Sequence, residues 1–422
     1  MSVKLIASDL DGTLLSPDHL TVSERTKKAL YEAHEKGIKI AIATGRTLSM
    51  IYDVIEQLPF ADYVIYSNGA AAYDLHGARL IYSKPLPREI AADIVDYLDC
   101  KEVYYEVYAG GKQYSQPDKQ QYFTNVNLPQ EFMEDYIKKL YFVDNLAGFA
   151  KDNICEKVNV YYFGNPNLGE IKRHFEACPD VLFTSPIDGD IEITYKGVDK
   201  VFAIDAICAE LGITRYEVMA FGDADNDLGM IKAVGFGFAM ENGDEICKAQ
   251  AKYIAPSNEL DGVASAVERY ALGKKPRLLV SACLLGENCK YNGGNNKNDA
   301  ALELEKDFEL IPVCPESFGG LPIPRVPCEI VGDRVLSKNG EDVTAEFHSG
   351  AEKTLYIAEE KNARLALLKE RSPSCGCGRI YDGSFSGRLV EGNGVTADLL
   401  LKRGISVFGE SEINKLLDEA DL

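Results

Sequence analysis

The stretch Asp9-Leu10-Asp11-Gly12-Thr13-Leu14 follows directly on an apolar run, Val3 to Ala7. A short run of that kind reads as a buried parallel strand, covered on both faces. Two carboxylates two residues apart, where such a strand gives out, stand where open α/β sheets hold their ligands. Gly12 and Thr13 then allow the tight backbone of an active-site loop. Alone, the stretch also fits an Asp-rich turn that caps the next element. Its partners downstream decide between the two.

Outward from that stretch, strand and helix alternate. Ser23–Lys36 has helical spacing with Gly37 as its stop, and Ile38–Ala43 is a second strand leading into Thr44-Gly45-Arg46. Leu48–Gln57 reads as a helix and Tyr63–Tyr66 as a strand before Ser67-Asn68-Gly69. This alternation implies βαβ units and a parallel sheet. From about Ser83 to Tyr195 the texture changes. Helices are expected over Arg88–Leu98, Gln130–Leu140 and Leu168–Cys178, and a strand over 158–163. Hairpins are expected from Glu102–Tyr108 with Gly111–Ser115, and from 181–185 with Asp190–Tyr195. Parallel-sheet character returns with the Lys200–Leu211 helix, the Val218–Phe221 strand, the Asp227–Ala233 helix and the Gly235–Ala239 strand. The expected organisation is an α/β core from residues 1–82 and 196–273, an α+β insert over 83–195, and a second, smaller α/β domain over 274–422 that begins near Gly273-Lys274-Lys275-Pro276.

A length of 422 residues requires more than one core. The formal net charge of −21 argues against a nucleic-acid or anionic-membrane surface, so neither is expected as a partner. No apolar run reaches the roughly 18–20 residues of a membrane span, and the N-terminus is strand-like rather than a signal peptide. The expected compartment is the cytoplasm. Six of the eleven cysteines fall in the last third of the chain, which in a cytosolic protein points to metal or catalysis before disulfides.

Thr44 ends the second strand, Lys200 sits in the first turn of a helix, and Asp223 and Asp227 lie in Gly222-Asp223-Ala224-Asp225-Asn226-Asp227 after another strand. In a parallel sheet these ends meet Asp9 and Asp11 at one edge. Carboxylates without a nearby histidine make an all-oxygen site suited to Mg²⁺, and the Gly and Glu spacing of an EF-hand is absent. A lysine in the first turn of a helix opposes the helix dipole and calls for an anion, which a phosphate would supply. Together these residues describe phosphoryl transfer, with a carboxylate as nucleophile, a metal neutralising charge and a second acid moving protons.

DLDGTL, ATGR, the Lys200 position and GDADND resemble the four motifs of the haloacid-dehalogenase superfamily. Ser67-Asn68-Gly69-Ala70, the large insert and Asp261-Gly262-Val263 resemble its Cof-type branch. The resemblance spans about residues 1–273. It implies a Rossmann-like core with an inserted cap that selects the leaving group, and hydrolysis of a small phosphate ester through an aspartyl-phosphate. By it, Asp9 is the nucleophile and Asp11 the acid/base. Thr44 and Lys200 hold phosphate, and Gly45, Arg46, Asn68 and Asn226 contribute to substrate binding. Mg²⁺ falls to Asp9, the Asp11 carbonyl and Asp223, with Asp227 in support. Asp225 fits a solvated loop residue equally well. Phosphate transfer to an acceptor other than water is the rival activity.

Beyond Gly273, Arg277–Ser281, Leu310–Val313 and Leu365–Lys369 read as strands, with helices near Asp299–Lys306, Ser349–Asn362 and Thr396–Arg403. Each strand runs on to a cysteine: Cys283, Cys314 and, through Ser372-Pro373-Ser374, Cys375. Three thiolates at one sheet edge can share a metal centre, or simply pack the strand ends. Only His348 lies in this region and no paired CxxC occurs, which disfavours zinc, whereas thiolate-only ligation is the habit of iron–sulfur clusters.

SACLLGENCKYNGG, PVCPESFGGLPIPR, GEDVT, KERSPSCGCGRIYDGSF and GNGVTA resemble a family long known as a domain of unknown function, one branch of which comprises thiouracil desulfidases with a [4Fe–4S] cluster. The resemblance spans about residues 277–410. It implies Cys283, Cys314 and Cys375 as cluster ligands, one iron left open to take sulfur from a thiolated base or nucleoside, and Glu316 with Ser374 (or Ser372) for proton transfer and positioning. Cys328 is expected to be structural, and Cys289 and Cys377 stay undecided. The whole reads as a phosphatase acting on a small phosphorylated metabolite, fused to a desulfidase-like domain. The rival is fusion to a non-catalytic metal-binding or redox-sensing module.

Overall fold

Leu5–Ser8 lies in the middle of an eight-stranded sheet in the computed structural model, which describes residues 2–123, 129–161, 168–176, 178–184 and 190–420. Across the sheet the order is Tyr253–Ala255, Phe236–Met240, Val218–Gly222, Leu5–Ser8, Lys39–Ala43 and Tyr63–Tyr66, all parallel, then Ala71–Asp74 and Arg79–Ser83, which are antiparallel. The central strand is apolar without alternation because both its faces are covered. Ile6, Ile40, Ile42, Met219 and Phe221 pack on one side beneath Ala29, Leu30 and Ala33 of the Glu24–Glu35 helix. Leu5, Ala7, Ala41, Ala43 and Ala220 pack on the other beneath Val201 and Ile204 of Lys200–Leu211 and Met230 of Leu228–Ala233.

Register sets up the site. Ser8 stands opposite both Phe221 and Ile42, so Asp9, Thr44 and Asp223 all emerge just past one edge of the sheet.

The inserted cap has a six-stranded sheet in the order Val181–Thr184, Asp190–Tyr195, Cys155–Tyr161, Tyr104–Ala109, Lys112–Ser115 and Tyr141–Phe142. Its central strands alternate apart from a bulge where Tyr108 and Ala109 meet the Cys155–Tyr161 strand. Tyr105, Val107, Val158, Val160, Ile191 and Ile193 face the Arg88–Asp99 and Leu146–Asp152 helices in an apolar core. Tyr104, Glu106, Tyr108, Asn159, Tyr161 and Glu192 hold the alternate positions and present a polar, aromatic face. The two expected hairpins form, the second as Val181–Thr184 against Asp190–Tyr195, with residue 185 outside the described residues. The strand expected over 158–163 begins earlier, at Cys155, because Glu156 and Lys157 are buried polar residues that hide its start. Residues 162–163 lie outside the described residues. The helix expected to reach Cys178 is described as Leu168–Glu176, with residue 177 likewise outside.

The chain divides after Gly273 into two compact units. The second unit has a parallel four-stranded sheet in the order Glu309–Val313, Arg277–Ser281, Leu365–Leu368, Ser406–Gly409. The fourth strand was not expected, and the long helix begins at Thr344 rather than Ser349. Two small hairpins, Cys328–Val331 with Arg334–Ser337 and Arg379–Tyr381 with Leu389–Glu391, flank this sheet. No helix among the described residues is long and apolar enough to cross a membrane.

Candidate active sites in the two units

In the first unit the chain turns sharply after Asp9. Gly12 adopts φ +75°, and a Cβ there would come within 2.3 Å of the Asp223 carboxylate, so glycine is required twice over. Thr13 donates to Asp223 Oδ1 at 2.7 Å and ties the turn to the other acidic loop. Oxygens of Asp9, Asp223 and Asp227 come within 4.8 Å of one another. Lys200, fully buried in the first turn of its helix, places Nζ 2.6 Å from Asp9 and 2.5 Å from Asp227. Its expected anion is therefore supplied by two carboxylates. Asp227 also accepts from the Asp223 backbone N–H at 3.0 Å.

Charge crowding in a dry place has consequences for protonation. Burial, with Asp227 alongside, pushes the Asp223 carboxyl up to about 7, and burial raises Asp9 well above the usual carboxylate range despite Lys200. Lys200 is desolvated, yet Asp227 and Asp9 keep it firmly protonated. An all-oxygen cluster with one ammonium among three carboxylates has the chemistry of a Mg²⁺ site.

Asp11 points elsewhere. Burial would raise it, but Arg46 and His19 hold its carboxyl well below the ordinary value. Arg46 donates through Nε at 2.8 Å and again through its terminal nitrogen, and His19 Nδ1 lies 2.8 Å away. His19 carried no signal in the sequence, since it reaches Asp11 only through a loop residue at positive φ. Thr44 is buried and its hydroxyl accepts from the Arg46 N–H at 3.1 Å. Gly45 accepts from Lys157 at 2.9 Å. Asn68 sits behind the cavity lining, accepting from Asn226 Nδ2 at 3.2 Å and donating to Glu192 of the cap. Glu192, which also pairs with Lys157, was missed because it alternates in an ordinary strand. Asp225 is exposed. Asp9, Asp11, Thr44, Arg46, Asn226 and Asp223 line one cavity of about 270 Å³ between core and cap.

In the second unit, Cys283, Cys289, Cys314 and Cys375 line a cavity of about 480 Å³ together with Glu316 and Ser372. Cys283 falls in the short turn after Arg277–Ser281, and Cys314 caps the Pro315–Phe318 helix. The neighbouring Cys289 thiol holds Cys283 down to about 7 and Cys314 to about 6, whereas burial raises Cys375. Several thiols on one roomy cavity have donor chemistry that suits an iron–sulfur cluster. Cys377, whose thiol meets the Val407 carbonyl, is absent from the lining, while Cys328, expected to be structural, is part of it.

Of the two serines expected beside Glu316, Ser372 lines the cavity and Ser374 does not. Ser374 is fully buried and its hydroxyl pairs with Thr396 at 2.9 Å, away from the cavity. Ser372 accepts from the backbone N–H groups of Ser374 and Cys375 and donates to Glu316 Oε1 at 3.3 Å. A tight loop before Cys375 hides which of two serines faces inward. Glu316 is braced by Arg325 at 2.6 Å.

A parallel sheet with acidic strand ends beneath an α+β cap defines a capped phosphoryl-transfer hydrolase, followed by a thiol-lined α/β domain. Residues 6–267 match the haloacid dehalogenase-like hydrolase family and residues 278–412 match 2-thiouracil desulfurase. The chain belongs to the haloacid dehalogenase-like hydrolases, as a phosphatase of that type fused to a thiouracil desulfurase domain. The 5-amino-6-(5-phospho-D-ribitylamino)uracil phosphatase YcsE of Bacillus subtilis is 30% identical over 64% of this chain and 97% of its own. The uncharacterized protein YbbK of the same organism is 43% identical over 33% of this chain and 99% of its own. A haloacid dehalogenase-like hydrolase from B. subtilis superposes with TM-score 0.57 at 27% identity, over 63% of this chain and 99% of that structure.

Proposed function

We propose that the first unit hydrolyses a small phosphate monoester through a covalent phosphate on Asp9. The contact of Lys200 with both Asp9 and Asp227 carries this reading, because it keeps the nucleophile oriented and its charge balanced. Asp9 attacks phosphorus and the ester P–O bond breaks. Asp11 gives the leaving oxygen its proton, then takes one from the water that frees Asp9. To do so it must leave Arg46 and His19, which hold its carboxylate in this structure. Thr44 and Lys200 steady the phosphoryl oxygens. Mg²⁺, held by Asp9, Asp223, Asp227 and the Asp11 carbonyl, would neutralise the charge that gathers there. Similarity to YcsE supports a small phosphorylated metabolite as substrate.

The second unit, on this reading, removes sulfur from a thiolated base or nucleoside. Cys283, Cys314 and Cys375 would hold a [4Fe–4S] cluster, which would supply a thiophilic iron. Glu316 and Ser372 form a proton path, since Ser372 receives two N–H groups and directs its own proton at Glu316. The test is a screen on anaerobically purified full-length protein, measuring phosphate release from a panel of phosphate esters and sulfide release from 2-thiouracil. Mg²⁺-dependent phosphate release and sulfide release are expected. Failure of either would overturn the corresponding half.

A further inference from the structure

The cap side of the first cavity contains more polar chemistry than phosphoryl transfer uses. Gln113 is fully buried, and neither its Oε1 nor its Nε2 finds a hydrogen-bond partner. Asn159 is 2% exposed and its Oδ1 is likewise unpartnered. Both line the cavity that holds Asp9. Buried amides are ordinarily satisfied, so an unsatisfied pair facing a cavity marks a place where a ligand completes the bonding.

Three further observations narrow the ligand. Tyr108, Phe123, Phe132, Tyr136 and Tyr161 line the same space and offer flat apolar surface. Among the described lining residues the basic side chains are Arg46 and His19, and both are engaged with Asp11. The cap carboxylates are also committed: Glu106 accepts from Tyr104 and Tyr136, and Glu192 from Lys157 and Asn68. While Asp11 holds Arg46 and His19, a leaving group bearing a second phosphate or a carboxylate meets no free cationic side chain among the described lining residues. A carboxamide with donor and acceptor both free matches a ring edge that carries an adjacent acceptor and donor, the pairing by which Gln reads bases.

Resting on the phosphatase reading above, we propose that the cap selects phosphate esters whose leaving group carries an uncharged, uracil-type ring. The Gln113 carboxamide pairs with the imide edge, Asn159 accepts from a second ring donor or hydroxyl, and the aromatic side chains cover the ring faces.

The experiment compares kcat/KM of the full-length protein with Mg²⁺ for uridine 5′-monophosphate, ribose 5-phosphate, fructose 1,6-bisphosphate and p-nitrophenyl phosphate. Titration calorimetry with uridine runs alongside. Uridine 5′-monophosphate should exceed ribose 5-phosphate by about tenfold or more, the size of one good base-edge contact. That preference should collapse toward one in Gln113→Met, which keeps the side-chain volume, and uridine heat should vanish with it. Circular dichroism verifies that the variant is folded, and Asn159→Leu provides an independent second variant. Equal or better use of ribose 5-phosphate or of the bisphosphate by the wild type would overturn the inference, as would a preference that survives both substitutions. If no ester is hydrolysed, p-nitrophenyl phosphate included, the phosphatase reading fails. Uridine binding that Gln113→Met abolishes would still uphold the ring site, and no uridine binding would sink it.

Discussion

Nζ of Lys200 lies 2.6 Å from Oδ1 of Asp9, across 191 residues of sequence, and both are buried. The contact joins the first strand of the sheet to a helix that begins only after the whole cap has been traversed. Removing the ammonium would leave Asp9 and Asp227 facing each other without their counter-charge. Breaking a buried pair from one side costs about 3–5 kcal/mol. Lys200→Met should therefore lower stability in urea by that order and abolish phosphate release. A variant as stable as the wild type would show that the triad contributes no net pairing.

On the mechanism proposed above, Asp9→Asn removes the nucleophile while preserving shape. Phosphate release should disappear with the circular dichroism spectrum unchanged. Asp11→Asn should slow turnover by roughly 10²–10⁴, the range of general acid–base contributions. The two variants differ in a burst experiment. Asp11→Asn retains the group that forms the covalent phosphate, whereas Asp9→Asn cannot trap label from a ³²P-ester. Label on Asp9→Asn would mean that another residue is the nucleophile.

The parallel core and its acidic edge were readable because strand ends in an α/β sheet are marked by apolar runs followed at once by polar residues, as at Ala7–Asp9 and Phe221–Asp223. The edge hairpin of Ala71–Asp74 and Arg79–Ser83 was not anticipated, since its outer strand is largely exposed and lacks the apolar run. His19 and Glu192 reach their sites through a loop at positive φ and a cross-strand register, and neither leaves a local spacing pattern. Ser372 and Ser374 differ only in which way a turn faces, and hydrogen bonding resolved that where sequence could not.

Those two serines make separable predictions. Ser374→Ala should leave the Thr396 hydroxyl buried and unpaired, at a cost of about 1–3 kcal/mol in stability, with desulfuration per folded molecule intact. Ser372→Ala should leave stability closer to the wild type and depress sulfide release. Thermal melts and sulfide assays on the same samples distinguish them, and the reverse pattern would restore Ser374 as the functional serine.

The thiols divide in a similar way. Anaerobic purification should yield a brown protein with about four irons per chain. Cys283→Ser, Cys314→Ser and Cys375→Ser should each lose most of the iron and the visible absorption, while Cys377→Ser, outside the cavity lining, should retain both. A colourless wild type with stoichiometric zinc would rule out the cluster.

Glu106 gives the cap a pH dependence. Burial pushes its carboxyl up to about 7 from an ordinary value of 4.5, although the hydroxyls of Tyr136 and Tyr104 and the charge of Lys157 oppose this. Tyr161 stands behind them, its hydroxyl 2.6 Å from that of Tyr136. Between pH 4.5 and 7 the folded chain therefore binds more protons at Glu106 than the unfolded chain does. Stability from this group is fully present below pH 4.5 and is lost as pH rises toward 7. Glu106→Gln keeps a carbonyl acceptor for the tyrosines and removes the titration. Its stability relative to the wild type should rise by roughly 2–3 kcal/mol between pH 4.5 and 8, measured from urea unfolding of both proteins at each pH. Because Glu156 and Asp223 titrate in the same range, the difference between the two proteins isolates Glu106. Parallel stability curves for the two proteins would mean that Glu106 ionises freely in the folded cap.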